Sequence, residues 1–373
     1  MISGLWVVLG LGILYITLAD ALETLVLPRS VDRPLSLTVL FYTVLDKGFR
    51  ALGRRWLRTG KGQKALGAYA PITLLLLIGL WAGLLISGFG LIFYGLQVPI
   101  NNVSGNPSLS EYLYLTAVTF FTLGYGDITA QNAIGKVIEV FTAGTGFLFL
   151  ALVISYLPVM YSAFSRRESS LLLLDARAGS PPCAHTLLIR HQACGAASLR
   201  QLLEQNEQWA AQVLESTLSY PMLAYYRSQH EDLTWVGAST VMMDTCALLQ
   251  AAVDPVDAEQ RQLLRQAQLT FAMVRHLCVD VAYILDMAPR EPVTSRLDRA
   301  GFEILLADLE RVGFPIRSDR EAVWDGLSEL RAQYEPYLMG LERNLFVPVP
   351  GWQAPTEARD SWQTAAWDNT RHF

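Results

Sequence analysis

Long uncharged runs dominate the first half of the chain. Residues 2–19, 65–110 and 140–165 contain no Asp, Glu, Lys or Arg. A bilayer-crossing helix needs about 20 mostly apolar residues, so these runs predict membrane helices. The first lacks basic residues ahead of it, and Asp20 and Glu23 follow it where a leader would carry small cleavage residues. It therefore reads as a retained helix. The middle run is too long for one helix. Pro71 suits the first turn of a helix ending near Gln97, and turn-forming residues follow from Pro99 to Pro107. Ser108 or Ser110 then caps a short helix reaching Phe121, with Glu111 in its first turn. At about a dozen residues it falls short of the bilayer thickness. The pattern predicts a re-entrant helix between two true spans, then irregular backbone over 119–129, then a last span over 132–164.

Beyond Arg166 the pattern becomes mixed and charged, with apolar positions at helical spacing. Ser180-Pro181-Pro182 is expected to open a helix that Gly195 closes. Ser198 with Gln201, Asp257 with Gln260 and Ser318 with Glu321 fit capping boxes, and Gly313-Phe314-Pro315 separates the last two helices. From Val347 onward (VPVPGWQAPTEARD) the chain reads as extended and loose. The expected organisation is all-α: a transmembrane helix over 1–26, a basic linker over 27–64, a two-span segment with a re-entrant loop over 65–165, a helical bundle over 166–346 and a loose tail over 347–373. Within the linker, the apolar run 35–45 is too short to span and reads as part of an amphipathic helix at the membrane surface. A fourth, poorly formed span over 35–57 is the alternative.

Composition agrees with a membrane protein. Hydrophobic residues make up 52% and charged ones 17% of 373 residues, and the net charge of −5 argues against nucleic acid as a partner. The four cysteines all lie beyond Arg166 and make no disulfide framework, which places that part in a reducing compartment. Nine basic residues from Arg29 to Lys64 face only Asp32 and Asp46, and Arg166 and Arg167 follow the last span. The positive-inside rule then puts the linker and the C-terminal half in the cytoplasm, with Met1 and the loop over 119–129 outside. The expected location is a bacterial-type inner membrane, multi-pass. The sequon Asn102-Val103-Ser104 reads as a chance match.

The loop itself reads TFFTLGYGDIT over 119–129. Irregular backbone at membrane depth survives only when buried in protein or lining a water-filled cavity. Gly124 and Gly126 permit left-handed backbone values, and alternating these with ordinary ones points successive carbonyls the same way. Thr122 adds a hydroxyl at the inner end. The preceding helix aims its negative C-terminus at the same place, which favours a cation. Several copies meeting on an axis would form a ring of oxygens able to replace an ion's water shell.

Thr122-Leu123-Gly124-Tyr125-Gly126-Asp127 resembles the potassium-channel signature, TVGYG followed by Asp. The resemblance covers about 65–165 and implies an outer helix, pore helix, filter and inner helix. It implies K+ bound by the carbonyls of Thr122, Leu123, Gly124 and Tyr125 and by the Thr122 hydroxyl, with Gly126 completing the filter. It implies a homotetramer in the lipid bilayer, since family filters take four strands. It also implies a passive, non-enzymatic protein with K+ as permeant ion and no cofactor. Leu123 replaces the common valine, Tyr114-Leu115 stands where an aromatic pair is frequent, and Val118 stands where some members carry a glutamate. Tyr114, Val118 and Asp127 are therefore the filter supports, with Asp127 expected to bond the Tyr114 hydroxyl. Gly144 and Gly146 fit a gating hinge or close packing in lipid equally. Lys136 and Glu139 form either an intrahelical pair or part of the outer mouth. Residues 22–29 (LETLVLPR) and 225–232 (YYRSQHED) extend the resemblance to bacterial single-pore channel proteins.

No arginines recur at three-residue spacing inside a span, which excludes a voltage sensor of that type. Arg50, Arg54, Arg55 and Arg58 read as charges at the inner lipid surface, where Asp20 and Glu23 are placed to pair with them. No GxGxxG follows Arg166, so a Rossmann-type regulatory domain is excluded. Cys183, His185, His191 and Cys194 match no standard zinc spacing and read as packing residues. Tyr225, Tyr226, Arg227, His230, Glu231, Asp232 and Trp235 form either a helix junction or a ligand or subunit contact. The helical domain is expected to assemble or gate the pore, with an unknown cytoplasmic ligand or partner. Two other readings stay open: a poorly selective cation channel, and a membrane-anchored signalling or scaffold protein with a vestigial pore.

Overall fold

A computed structural model of the protein describes residues 2–25, 37–57, 62–103, 105–228 and 233–354. The described residues are helical, with two isolated β-bridges and no strand. They divide into two compact units, Met1–Arg58 with Ala68–Tyr161, and Thr59–Gly67 with Ser162–Phe373. Three helices are long and apolar enough to cross a membrane, over Ser3–Leu25, Leu66–Leu96 and Ala133–Ala178. This is an all-α membrane protein.

The first unit is built on α1 (Ile2–Leu25), α2 (Leu37–Leu57), most of α3 (Gly62–Leu96), α4 (Leu109–Phe120) and the part of α5 (Ala133–Ala178) up to Tyr161. Leu14 and Ala21 of α1 pack with Leu77, Trp81 and Leu85 of α3, and Phe120 and Phe149 join the same cluster. Gly10 and Gly88 let α1 and α3 approach, since a Cβ at Gly10 would lie 2.6 Å from the Gly88 carbonyl oxygen. Without a hydrophobic driving force in lipid, such close backbone packing has to supply much of the association energy.

Two helix boundaries differ from expectation. α3 begins at Gly62, so Pro71 lies inside it rather than in its first turn. α5 does not end near residue 165 but runs to Ala178, through Pro158. At 1.5 Å per residue its 46 residues extend about 69 Å, more than twice the bilayer core. α2 forms one 21-residue helix and is not among the spans long and apolar enough to cross.

Asp20 is buried, and it organises three helices. Its carboxylate accepts from the Thr38 backbone N–H at 3.1 and 3.2 Å, from the Thr38 hydroxyl at 2.7 Å and from the Trp81 indole N–H at 2.9 Å. It thus acts as a remote cap on the first turn of α2, where helix N–H groups lack partners and a negative charge is favoured. Asp20→Ala leaves buried donors without an acceptor, at about 1–3 kcal/mol each. We expect a melting temperature in detergent several degrees lower, with Asp20→Asn recovering part of the loss. An unchanged melting temperature in Asp20→Ala would remove this role. The linker side chains Arg29, Arg33, Arg50, Arg54, Arg55 and Arg58 lie outside the described residues.

In the second unit α8 (Trp235–Ala252) is the centre: every residue except Gln250 is buried, as expected for a helix apolar on all sides. Around it stand α6 (Ala184–Gln192), α7 (Gly195–Ser219), α9 (Ala258–Ile284), α10 (Arg299–Arg311), α11 (Arg320–Ala332) and α12 (Glu335–Leu345), sharing one apolar core. Asp257 caps α9, accepting from the Gln260 N–H at 2.8 Å. The other two boxes shift. Ser198 lies within α7, which begins at Gly195, and Asp319 rather than Ser318 caps α11, accepting from Ala322 N–H at 3.0 Å. Pro181 and Pro182 precede α6, whose N-cap is Cys183. The stretch after Val347 is not loose as far as it is described. Val347 and Trp352 are buried, and the His185 N–H donates to the Trp352 carbonyl at 3.2 Å. Residues 355–373 lie outside the described residues.

Candidate functional site

α4 is a 12-residue helix whose start is set by Ser108 and Glu111. The Glu111 carboxylate accepts from the Ser108 N–H at 2.6 Å and from its hydroxyl at 2.9 Å. Thr116 ties the helix to α3 by donating to the Ile86 carbonyl at 3.2 Å, and Tyr112 donates to the Val98 carbonyl at 2.7 Å. The end of α4 is therefore held in place by its own sides.

Where the helix stops, the backbone alternates. Thr122, Gly124 and Gly126 have φ of +56°, +57° and +74°. The two glycines accept this freely. A β-branched residue does not, and Thr122 is a true outlier. Its conformation is held by hydrogen bonds: Thr122 N–H donates to the Thr119 carbonyl at 3.0 Å and Leu123 N–H to the Val118 carbonyl at 2.9 Å. Val118 thus supports the loop with its backbone as well as its buried side chain. Positive φ thus falls on every second residue from 122 to 126.

The far side of the loop is tied down by polar side chains. The Tyr114 hydroxyl donates to Asp127 Oδ2 at 2.7 Å. The Asn102 amide donates to the Asp127 carbonyl at 2.7 Å, and Asn101 Oδ1 accepts from the Thr129 N–H at 2.5 Å. Asn102 of the sequon therefore braces this loop. The Glu139 carboxylate accepts from the Ala130 N–H at 2.8 Å and so anchors the N-terminal end of α5. Phe121, Leu123 and Tyr125 are more than half exposed in the single chain.

The hinge candidates on α5 differ. Around Gly144 an added Cβ would meet nothing within 4 Å, whereas at Gly146 it would lie 1.8 Å from the Phe120 carbonyl oxygen. Gly146 is where α5 passes the end of α4, and its missing side chain makes that crossing possible.

Cys183, His185, His191 and Cys194 do not converge. Cys183 donates to the Thr186 hydroxyl at 3.1 Å, His185 Nε2 pairs with Asp308 at 3.0 Å, His191 Nδ1 meets the Leu187 carbonyl at 3.0 Å, and Cys194 is exposed. Cys246 and Cys278 are core thiols, and burial pushes Cys278 up to about 12, so both stay protonated. Of the second cluster, Tyr225, Tyr226, Arg227 and Trp235 form a helix junction. The Trp235 indole N–H donates to the Ala224 carbonyl at 3.1 Å, and Arg227 donates to the carbonyls of Leu345 and Phe346 at 2.8 and 2.7 Å. His230, Glu231 and Asp232 lie outside the described residues.

Comparison with known proteins agrees with the class this geometry suggests. Residues 75–162, which carry α4, the loop and most of α3 and α5, match the model of a family described as "Ion channel". The chain as a whole is similar to YdjJ of Bacillus subtilis (strain 168), an uncharacterized membrane protein. The two are 22% identical over 342 residues, covering 89% of this chain and 95% of that one. That likeness therefore extends through the helical unit. No solved structure matches the chain.

Proposed function

We propose that the protein is a passive, potassium-selective channel in which four copies of residues 122–126 line one filter. The observation that carries this reading is the alternation of left-handed backbone at Thr122, Gly124 and Gly126, held at the end of a helix too short to cross a membrane. Carbonyls of Thr122, Leu123, Gly124 and Tyr125, with the Thr122 hydroxyl, are the ion ligands, and Gly126 completes the turn. Tyr114, Asp127 and Val118 hold them. The exposed Phe121, Leu123 and Tyr125 beside irregular backbone call for neighbouring copies, because such backbone is not left to lipid. Charge in the linker orients the loop and Met1 outward, and the second unit into the cytoplasm of a bacterial-type cell, where it assembles or gates the pore. Nothing in this reading requires enzymatic chemistry or a cofactor.

Ion flux from purified protein in liposomes tests it. We expect flux under a potassium gradient, little under a sodium gradient, and none in Gly126→Asp, which puts a charged side chain on a left-handed residue of the loop. Equal potassium and sodium flux would replace selectivity by general cation conduction. Flux unaffected by Gly126→Asp would place the conduction path elsewhere.

A further inference from the structure

α5 does not stop where a membrane span would, and its continuation is gripped. Arg167 is buried in the second unit, where an unpaired guanidinium would be very costly. Its Nη1 donates to the Leu223 carbonyl at 2.7 Å and its Nη2 to the Tyr226 carbonyl at 2.6 Å, while Glu168 accepts at 3.0 Å. Phe164, one turn earlier, lies 5.1 Å beneath the guanidinium and 5.5 Å from the Tyr226 ring. Both main carbonyls belong to a single-turn 3-10 segment, Pro221–Tyr225, and the residue after it. The next residue, Arg227, repeats the arrangement in the other direction. It donates to the carbonyls of Leu345 and Phe346, which close α12 where helix carbonyls lack partners. Phe346, itself left-handed at φ +54°, turns the chain into the packed stretch ending in Trp352.

We infer that residues 221–227 form a two-sided clasp that fixes the far part of α5 to the end of α12, with Arg167 and Arg227 as its positioning residues. At Arg167 the planar guanidinium donates through two nitrogens to two carbonyls, whereas at Arg227 Nη2 alone serves both. One side holds the helix whose other end passes the candidate filter, and the other holds the closing element of the helical unit. A change at the α12 end is thereby felt along 162–178 of α5. On the proposed channel reading, this is the route by which the helical unit acts on the pore; the clasp itself stands without that reading.

Hydrogen exchange of the full chain in liposomes tests the clasp without using flux. Arg227→Ala removes the bonds to the Leu345 and Phe346 carbonyls. It is expected to raise exchange over 162–178 at least about tenfold, together with 221–227, as for losing two charge-assisted bonds. Arg167→Ala is expected to raise the same α5 amides. Adding Arg227→Ala to it should raise them less than about twofold further, because the link is already cut. Arg227→Lys keeps the charge, changes the reach and geometry of the donor and guards against loss of the whole fold. It should show the same α5 effect in weaker form while α8 and α9 stay protected. Exchange over 162–178 that stays within about twofold of wild type in Arg227→Lys and Arg227→Ala would overturn the inference. So would additive effects in the double variant. Absent flux together with coupled exchange would count against the channel and leave the clasp standing.

Discussion

Gly146→Ala is expected to prevent α4 and α5 from packing and, on the proposed channel reading, to prevent assembly of the pore. The added methyl would lie 1.8 Å from the Phe120 carbonyl oxygen, 2.7 Å from its carbonyl carbon and 3.0 Å from its Cα. All of these are backbone atoms, so no rotamer change relieves the clash. Either α4 moves by more than an ångström or α5 does. α4 cannot move cheaply, being tied to α3 through Thr116 and to the loop that precedes it through Tyr112. Overpacking a well-packed site costs about 1–3 kcal/mol, and more when backbone must shift. The displaced group also sits two residues before Thr122, so even a folded variant would carry a distorted loop. We expect loss of the assembled species by size-exclusion chromatography in detergent, and no potassium-driven flux. Gly144→Ala is the matched control. In the single chain its methyl meets nothing within 4 Å, and alanine favours the helix by up to about 1 kcal/mol. It should assemble and conduct as wild type does. A Gly144→Ala protein that assembles but does not conduct would make residue 144 a moving part, and a Gly146→Ala protein that conducts normally would contradict the packing described.

The contrast between these two glycines shows what a sequence conveys and what it does not. Both invited the same two explanations, because the helix that contains them gives no sign of what crosses it. The long uncharged runs and the short helix α4 were legible because they act locally: the predicted helix to Phe121 is found as Leu109–Phe120, with Ser108 rather than Ser110 as its cap. Gly124 and Gly126 were legible for the same reason. Thr122 was not, since nothing in a threonine announces left-handed backbone. Its conformation is imposed by the carbonyls of Val118 and Thr119. Pro71 was misleading because proline signals a helix start only on average, and α3 carries it inside. Ser318 and Asp319 are both good caps, and only the structure decides between neighbours. The stretch 347–354 looked loose by composition, yet Trp352 packs against Arg296 and Arg331, residues far away in the chain. Arg167 was read only as a charge following a span, because its carbonyl partners lie more than fifty residues downstream.

Those same distant arginines carry the second large effect, expected from Asp244→Ala. Asp244 is a carboxylate on α8, the fully buried helix, and it is 1% exposed. It accepts from Arg296 at 2.5 and 3.1 Å and from the Tyr334 hydroxyl at 2.6 Å. Arg296 also donates to Glu335 at 3.1 Å and to the Pro350 carbonyl at 2.8 Å, and Glu335 accepts from Arg331 at 3.0 Å. Two carboxylates thus balance two guanidiniums, and the Trp352 ring lies within 6 Å of both cations. Such a network joins α8, the loop before α10, α12 and the packed stretch after it. Its net contribution is modest, because desolvating four charges offsets most of their attraction. Breaking it from one side is another matter. Without Asp244, Arg296 keeps half its compensation in a buried site and the Tyr334 hydroxyl loses its acceptor. The cost is about 3–5 kcal/mol, a large share of a domain stability of about 5–15 kcal/mol. For a unit of this size that lowers the melting temperature by roughly 6–20 °C. High salt should not rescue it, since buried pairs are little screened. The decisive comparison is with Asp244→Leu/Arg296→Met, which removes both charges and keeps apolar volume. We expect the double variant to melt above Asp244→Ala, because no guanidinium is then left facing a missing partner. If it melts lower, by the sum of the single effects, the two residues are not coupled, and the packing of Trp352 rather than charge balance holds this end of the helical unit.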